Sequence, residues 1–454
     1  MVHTFTALGC NIAVDVNSGA VHVLDRLIYD LLEQVNPPMA EHCPPEVAAK
    51  LPQYAAAGLE EGWQELRELA ENGLLFVEDD YVDPAAAVPN EAPVKALCLH
   101  VSHDCNLRCK YCFASTGDFG TGRMTMEPET AKKAIDFVVK RSGNRRNIEV
   151  DFFGGEPLMA MDTVKETVAY ARSIEEKTGK CFRFTITTNG VLLNDENIAY
   201  INEEMSNCVL SLDGRREVND AMRVTPNGKG SYDIILPRFK KLVEGRGTKD
   251  YYLRGTFTRE NLDFAADVMH IANEGFRNVS VEPAVGEEGD PWAVREEDLP
   301  QVKAEYEKLA AQLKDRPDIN FFHFNVDLAQ GPCVIKRMRG CGAGCEYVAV
   351  TPEGDIYPCH QFVGKPEYRM GSVYDNTFDM SLATQFANLN IYTREDCGTC
   401  WAKFYCSGGC SAANLKTNHD LKKPAQVGCE MQRKRLECAI ALKAVAAGMA
   451  DYEE

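Results

Sequence analysis

Cys105-Asn106-Leu107-Arg108-Cys109-Lys110-Tyr111-Cys112 carries three thiols spaced four and three residues apart. Three thiolates at that spacing suit a cubane iron–sulfur cluster that leaves one iron without a protein ligand, a place where a small molecule can bind and be reduced. The run follows the apolar stretch Val94–Val101 directly, so it falls where a strand ends and a loop begins. Composition agrees with this reading. The chain has 454 residues and 18 cysteines. So many thiols in short-spaced groups point to iron–sulfur or metal ligation rather than to disulfides. The net charge of −19 excludes a nucleic-acid surface, since no basic block offsets it. No apolar stretch approaches a membrane span, and Met1-Val2-His3-Thr4 lacks the basic start of a secretory signal. A cytoplasmic protein with neither membrane nor nucleic-acid partner is expected.

Outward from the cysteine run, β-rich apolar stretches alternate with amphipathic ones six times. The stretches are Val94–Val101, Asn147–Phe153, Cys181–Thr188, Asn207–Asp213, Tyr251–Thr258 and Asn278–Val285. Helical spacing fills the gaps at 126–140, 162–177, 195–205, 231–244 and 263–273, with 297–314 after the last. Repeating βα units make an α/β fold with a parallel sheet, and chemistry in such folds collects at the C-terminal ends of the strands. Upstream, Asn11–Val16 and Val21–Leu24 alternate around the turn residues Asn17-Ser18-Gly19-Ala20, a hairpin signal. Helices over 25–34 and 62–71 and a short strand Leu74–Val77 complete a small winged-helix-like unit, residues 1–83. The Pro- and Ala-rich run 84–93 reads as a linker. The domain reading is then 1–83, linker 84–93, a βα-repeat domain over 94–315 and a cysteine-rich domain over 316–454.

The strand ends carry further polar groups. Gly154-Gly155-Glu156-Pro157 ends the second strand with two residues that let backbone approach a ligand closely. Thr188 ends the third strand, and Ser211 and Asp213 the fourth, with short polar groups able to bond vicinal hydroxyls. Arg223 follows, with a two-pronged guanidinium suited to a carboxylate. The three-cysteine run, with Tyr111 before its third cysteine and Gly154-Gly155-Glu156 one βα unit later, resembles the signature of the radical S-adenosylmethionine (SAM) superfamily. That resemblance implies a partial (β/α)6 barrel and a [4Fe–4S] cluster on Cys105, Cys109 and Cys112. It implies SAM chelated to the open iron through its amino and carboxylate groups. Reductive cleavage of SAM would then yield a 5′-deoxyadenosyl radical that abstracts hydrogen. Tyr111, Gly154, Gly155, Glu156, Thr188, Ser211, Asp213 and Arg223 are the implied SAM contacts.

Cys397-x2-Cys400-x5-Cys406-x3-Cys410, then Cys429, preceded by Cys341-x3-Cys345 and Gly354-x4-Cys359, resembles the SPASM arrangement of auxiliary iron–sulfur clusters. A zinc ribbon on Cys397, Cys400, Cys406 and Cys410 is the alternative, and it leaves the other cysteines unused. The family pattern implies a nearer auxiliary cluster on Cys341, Cys345, Cys359 and Cys410 and a farther one on Cys397, Cys400, Cys406 and Cys429. The total is three [4Fe–4S] clusters. The closeness of Cys341 to Cys345 leaves the nearer cluster with either three or four cysteine ligands. Cys10, Cys43, Cys98, Cys181, Cys208, Cys333 and Cys438 are read as ordinary buried thiols, with Cys333 the first exception to consider.

Together the three parts resemble thioether-forming maturases of ribosomal peptides, of the sactipeptide and ranthipeptide type, including those acting on precursors with six cysteines in forty-five residues. The implied partners are a precursor peptide with a leader sequence and an electron donor such as flavodoxin or ferredoxin. Sulfatase-maturating enzymes, which make formylglycine, are the nearest alternative. That family has an aspartate after the GxxxxC cysteine, where this chain has His360, the candidate catalytic residue here. A non-catalytic iron–sulfur scaffold that binds a peptide is the alternative from another class.

Overall fold

The computed structural model describes residues 1–82, 92–287, 289–328 and 337–448. Most of the linker reading at 84–93, and Cys333, lie outside them.

The N-terminal sheet has three antiparallel strands in the order β1 (Val2–Ala7), β2 (Cys10–Asp15), β3 (Val21–Leu24). The β2–β3 hairpin stands where its alternation placed it, with Val14 opposite Val21, while β1 went unread because Val2-His3-Thr4-Phe5 mixes polar and apolar residues without a clean period. Asp25 caps the helix Arg26–Leu32 by accepting from the Ile28 amide at 2.8 Å. The strand expected at Leu74–Val77 is absent. Phe76 takes a positive φ of 58°, which breaks extended backbone. Side chains satisfy this segment instead: Asn17 donates to the Val77 carbonyl at 2.7 Å, and the Val77 amide donates to Asp15 at 3.2 Å.

The larger sheet begins with six parallel strands: β4 (Ala96–Ser102), β5 (Asn147–Gly154), β6 (Cys181–Thr188), β7 (Asn207–Ser211), β8 (Asp250–Phe257) and β9 (Asn278–Pro283). To these are added β10 (Asn320–Phe321), β11 (Tyr347–Val350), β12 (Asp355–Tyr357) and β13 (Gly371–Ser372). Their spatial order is β10-β9-β8-β7-β6-β5-β4-β11-β12-β13. From β4 to β10 consecutive strands are neighbours, as βαβ crossovers that always turn the same way require, and β11 then returns to pair with β4. The crossover helices are Pro128–Arg141, Met161–Thr178, Asp195–Glu204, Tyr232–Glu244 and Phe264–Asn273, followed by Leu299–Lys314.

Burial alternates along β5, β6 and β8. A parallel sheet covered by helices on both faces would be apolar on both. Here one face meets the crossover helices, and it carries the main core: Leu97, Leu99, Ile148, Val150, Phe152, Phe184 and Ile186 pack with Ala131, Ile135, Val164 and Val168. The opposite residues, Asp151, Thr185, Tyr252 and Arg254 among them, point to the other face, and Arg254 there lines the site.

The N-terminal unit has a core of its own and also packs on the C-terminal part of the chain. Phe5, Ile12 and Val14 share an apolar cluster with Ile440, Ala441 and Ala444 of the last helix, Gln426–Ala446. His3 stacks on Trp401 with ring centroids 3.9 Å apart and bonds Glu437 at 3.0 Å. Asp79 pairs with the buried Lys403 and accepts from the Tyr392 hydroxyl at 2.8 Å. The reason lies in the two faces of β2: only Ala13 joins the cluster of its own helices, so the apolar face of Cys10, Ile12 and Val14 needs another cover. Among the described residues no helix is long and apolar enough to cross a membrane.

Candidate active site

The strand ends of the sheet's polar face meet in a cavity with about 1140 Å³ of space including its mouth. Cys105, Cys109 and Cys112 line it together. Their loop is held down by the glycine turn after β5. The Gly155 amide donates to the Ser102 carbonyl at 2.8 Å and the Glu156 amide to the Asp104 carbonyl at 2.9 Å. A Cβ on Gly155 would lie 2.2 Å from the Asp104 oxygen, so no other residue fits there. Gly154 has φ +127° and is equally tight against Ser102, which only glycine tolerates. Burial pushes the Cys105 thiol up to about 12 and Cys109 up to about 11. Thiolates there need a positive partner such as iron.

Glu156 is buried, and its carboxylate spans the ends of two strands. Oε1 accepts from the Leu158 amide at 3.1 Å and from the Thr188 hydroxyl at 2.7 Å, and Oε2 accepts from the Asn189 amide at 2.8 Å. Desolvation raises its pKa to about 7 despite these donors. A cation at this wall would restore its charge. Thr188 and Ser211 also line the cavity.

Arg223, Tyr111 and Asp213 form one unit. Arg223 Nε donates to Asp213 Oδ1 at 2.9 Å, the Tyr111 hydroxyl donates to Oδ2 at 2.6 Å, and the guanidinium lies 5.6 Å from the Tyr111 ring centroid. Arg223 and Tyr111 face the cavity, but Asp213 does not line it. Asp213 is fully buried and also accepts from the Thr256 amide at 3.0 Å. The ribose contact expected of Asp213 is therefore corrected: it positions Tyr111 and Arg223 from behind. Burial opposes the Arg223 charge, and Asp213 and Tyr111 outweigh it and keep the group ionised.

His360 also lines the cavity, against Phe113 and Phe153 and 3.3 Å from the Tyr347 hydroxyl. Burial, with Arg254 nearby, pushes its pKa down to about 4, so the imidazole is neutral. Arg254 and Glu282 pair on the same wall. Neither was read from the sequence. Their signal lay in the alternation of Tyr252, Arg254 and Thr256 along β8 and of Ser280 and Glu282 along β9, charged residues inside otherwise apolar strands.

In the C-terminal half, Cys397, Cys400, Cys406 and Cys429 surround a second cavity with about 490 Å³ of space. Cys410 does not line it. Instead Cys410 lies within electrostatic reach of Cys341 and Cys359, and Cys345 adjoins Cys341. The Cys345 thiol is turned to the Gly342 carbonyl at 3.3 Å. Ser407, Gly408 and Gly409, all at positive φ, turn the chain sharply between Cys406 and Cys410 and so part these sequence neighbours. Among the described residues no three His, Cys, Asp or Glu converge closely enough for a single metal ion. The donor chemistry fits iron–sulfur clusters. Cys105, Cys109 and Cys112 line room for a multi-atom group, as do Cys397, Cys400, Cys406 and Cys429, and beside Cys105 the buried Asn106 Nδ2 has no protein acceptor, the kind of donor a cluster sulfur satisfies.

Residues 95–236 match the family described as 4Fe-4S single cluster domain, and residues 341–401 match SPASM, the iron-sulfur cluster-binding domain. The chain is a radical SAM protein with a SPASM domain. Its cofactors are SAM and [4Fe–4S] clusters, and it is an enzyme of radical chemistry. Curated relatives include a cysteine-type anaerobic sulfatase-maturating enzyme of Clostridium novyi, 25% identical over 68% of this chain and 85% of that one. They also include mycofactocin maturase MftC of Mycobacterium ulcerans, 28% identical over 74% of this chain and 87% of that one. Among solved structures, native anSMEcpe with bound AdoMet has a TM-score of 0.66 at 17% identity, covering 78% of this chain and all of that one. Streptococcus suis SuiB bound to precursor peptide SuiA has a TM-score of 0.54 at 17% identity, covering 94% of this chain and 98% of that one. These radical SAM structures share the fold.

Proposed function

We propose that this radical SAM/SPASM enzyme forms thioether crosslinks between cysteine thiols and carbon atoms of acceptor residues in a ribosomally made, cysteine-rich precursor peptide. The observation that carries the reading is the N-terminal sheet docked on the auxiliary-cluster half. Among the described residues, the outer edge of β1 has no strand partner. Beside that edge is a groove in which Val2, Leu32, Val35 and Phe76 stand among polar Thr4, Glu33 and Gln34. An extended leader peptide can add to such an edge as a strand and set alternate apolar and polar side chains in the groove. Tethering then raises the local concentration of the core peptide at the cavity mouth. The likeness to SuiB, a protein solved with its precursor peptide, spans enough of the chain to take in part of this unit, whereas that to anSMEcpe spans 78%.

In this reading Cys105, Cys109 and Cys112 hold the SAM-binding cluster. Cys397, Cys400, Cys406 and Cys429 hold one auxiliary cluster. Cys341, Cys359 and Cys410 hold the other, with Cys345 beside them, an arrangement that favours three cysteine ligands. SAM and its cluster, when bound and reduced by a donor such as flavodoxin or ferredoxin, supply the radical that takes hydrogen from the acceptor residue. The chain's own residues orient and shield. Arg223 presents its guanidinium to a carboxylate at the cavity wall, with Asp213 fixing it. Glu156 offers the ammonium a buried anionic wall, and Thr188 and Ser211 present hydroxyls. Neutral His360 can accept a hydrogen bond from the substrate thiol. The aromatic wall of Phe113 and Phe153 excludes water.

The deciding experiment co-expresses the chain with a short cysteine-rich peptide from a neighbouring gene and reads the product by tandem mass spectrometry. Loss of two hydrogens per crosslink, with the linkage at cysteine, is expected. Conversion of a cysteine to an aldehyde would instead place the enzyme with the sulfatase-maturating type, and an unmodified peptide despite SAM cleavage would refute this pairing of enzyme and substrate.

A further inference from the structure

Between the two cysteine sets of the C-terminal half stands Arg394, 5% exposed. Its Nη1 donates to the Leu421 carbonyl at 2.8 Å and its Nη2 to the Ser411 hydroxyl at 2.7 Å, while the buried Nε has no acceptor. Ser411 follows Cys410 of one set. Gly408, which precedes Cys410 and lines the cavity of the other set, lies against the guanidinium stem. A Cβ at Gly408 would come within 2.5 Å of Arg394 Cδ and 2.8 Å of Nε. The chain thus uses a glycine to make room for this side chain at the point where the two sets diverge.

A buried guanidinium is costly unless an anion faces it. Among the described residues no Asp or Glu forms an ion pair with Arg394. Burial pulls its pKa below the ordinary value, and the groups that oppose this most are Cys397, Cys410, Cys341 and Cys406, members of both sets. The anions that would balance it are therefore thiolate-ligated clusters on either side. A cluster gains one negative charge on reduction, and its potential responds to nearby charge and to hydrogen bonds at its sulfurs.

We propose that Arg394 is the shared counter-charge of the two auxiliary clusters, stabilising the reduced state of each and so holding both potentials up. The inference rests on the two-auxiliary-cluster reading above. In that arrangement one cation offsets the repulsion between two anionic clusters, and its unpaired Nε–H is a donor for sulfur.

The test uses the full chain with Cys105, Cys109 and Cys112 all replaced by Ala, so that only auxiliary clusters contribute. Iron is counted first. About eight irons per chain, the content of two four-iron clusters, are expected; about four would overturn the two-cluster reading and the proposal with it. Redox titration followed by electron paramagnetic resonance then reads both clusters. Arg394→Gln is expected to move both midpoints to more negative potential at unchanged iron, and Arg394→Lys, which keeps the charge, to leave both near the parent values. Unmoved midpoints in Arg394→Gln, a shift at one cluster alone, or equal shifts in both variants would each overturn the proposal. If Arg394→Gln loses iron, Arg394→Lys decides: retained iron and potentials support the charge role, and lost iron there too overturns it.

Discussion

The unit formed by Asp213, Arg223 and Tyr111 allows a quantitative test of how the cavity wall is held. Asp213 is fully buried and the Arg223 side chain is 10% exposed, so solvent screens their pairing little. Asp213→Asn leaves the guanidinium without its anion, and breaking a buried pair in this way costs about 3–5 kcal/mol. The asparagine oxygen can still accept from the Thr256 amide, which places the expectation near the lower end, at about 3 kcal/mol. Arg223→Gln is milder, because Asp213 keeps the Tyr111 hydroxyl and the Thr256 amide as donors; about 2 kcal/mol is expected. The double variant removes both charges and should cost about 2–3 kcal/mol less than the sum of the singles. Urea unfolding of anaerobically purified protein, followed by fluorescence, reads this. Trp292, whose ring lies 6.5 Å from that of Tyr111, is one of only three tryptophans and serves as a local probe. Strict additivity, or a loss below about 1 kcal/mol in Asp213→Asn, would refute the claim that Asp213 holds Arg223 in place.

Other expectations follow from the same wall. Cys105→Ala, Cys109→Ala and Cys112→Ala should each abolish reductive SAM cleavage, measured as 5′-deoxyadenosine, while auxiliary iron stays; undiminished 5′-deoxyadenosine in any one would remove that cysteine from the site. Gly155→Ala drives a methyl group into the Asp104 carbonyl and should displace the cysteine loop, lowering iron occupancy of the first cluster and SAM affinity together; full occupancy by iron analysis would show that the loop yields more easily than its contacts imply. His100 is fully buried, and burial, then His103 and His360, hold its pKa well below 6.5. The unfolded chain takes up a proton near pH 6.5 that the folded chain refuses, so stability is intact above that pH and falls as the pH drops below it, by up to about 1.4 kcal/mol per pH unit. His100→Phe should flatten this acid slope in urea midpoints, and an unchanged slope would assign it to other groups.

The six βα units were legible in the sequence because strand alternation and helical periodicity are local properties, and so are the caps and glycines that end each element. The cysteine loop and the glycine turn after β5 were legible for the same reason. Each occupies a strand end, and their mutual contact follows from neighbouring strands in consecutive order. Arg254 and Glu282 escaped notice because a charge inside an apolar strand has no meaning until the sheet shows which face the crossover helices leave to the cavity. The partition of Cys410 from Cys406 was implied only by resemblance, and three residues at positive φ carry it out. Asp213 looked like a ligand contact from its place at a strand end, and packing turned it behind the wall. The N-terminal residues formed their hairpin from local pattern alone. Their docking on the last helix came from the Cys10, Ile12 and Val14 face of β2, turned away from its own helices, which found its partner more than four hundred residues away. Local periodicity therefore determined the elements and the metal-binding motifs. Tertiary structure decided which distant groups share a cavity, because burial and charge pairing act between residues that the chain order does not bring together.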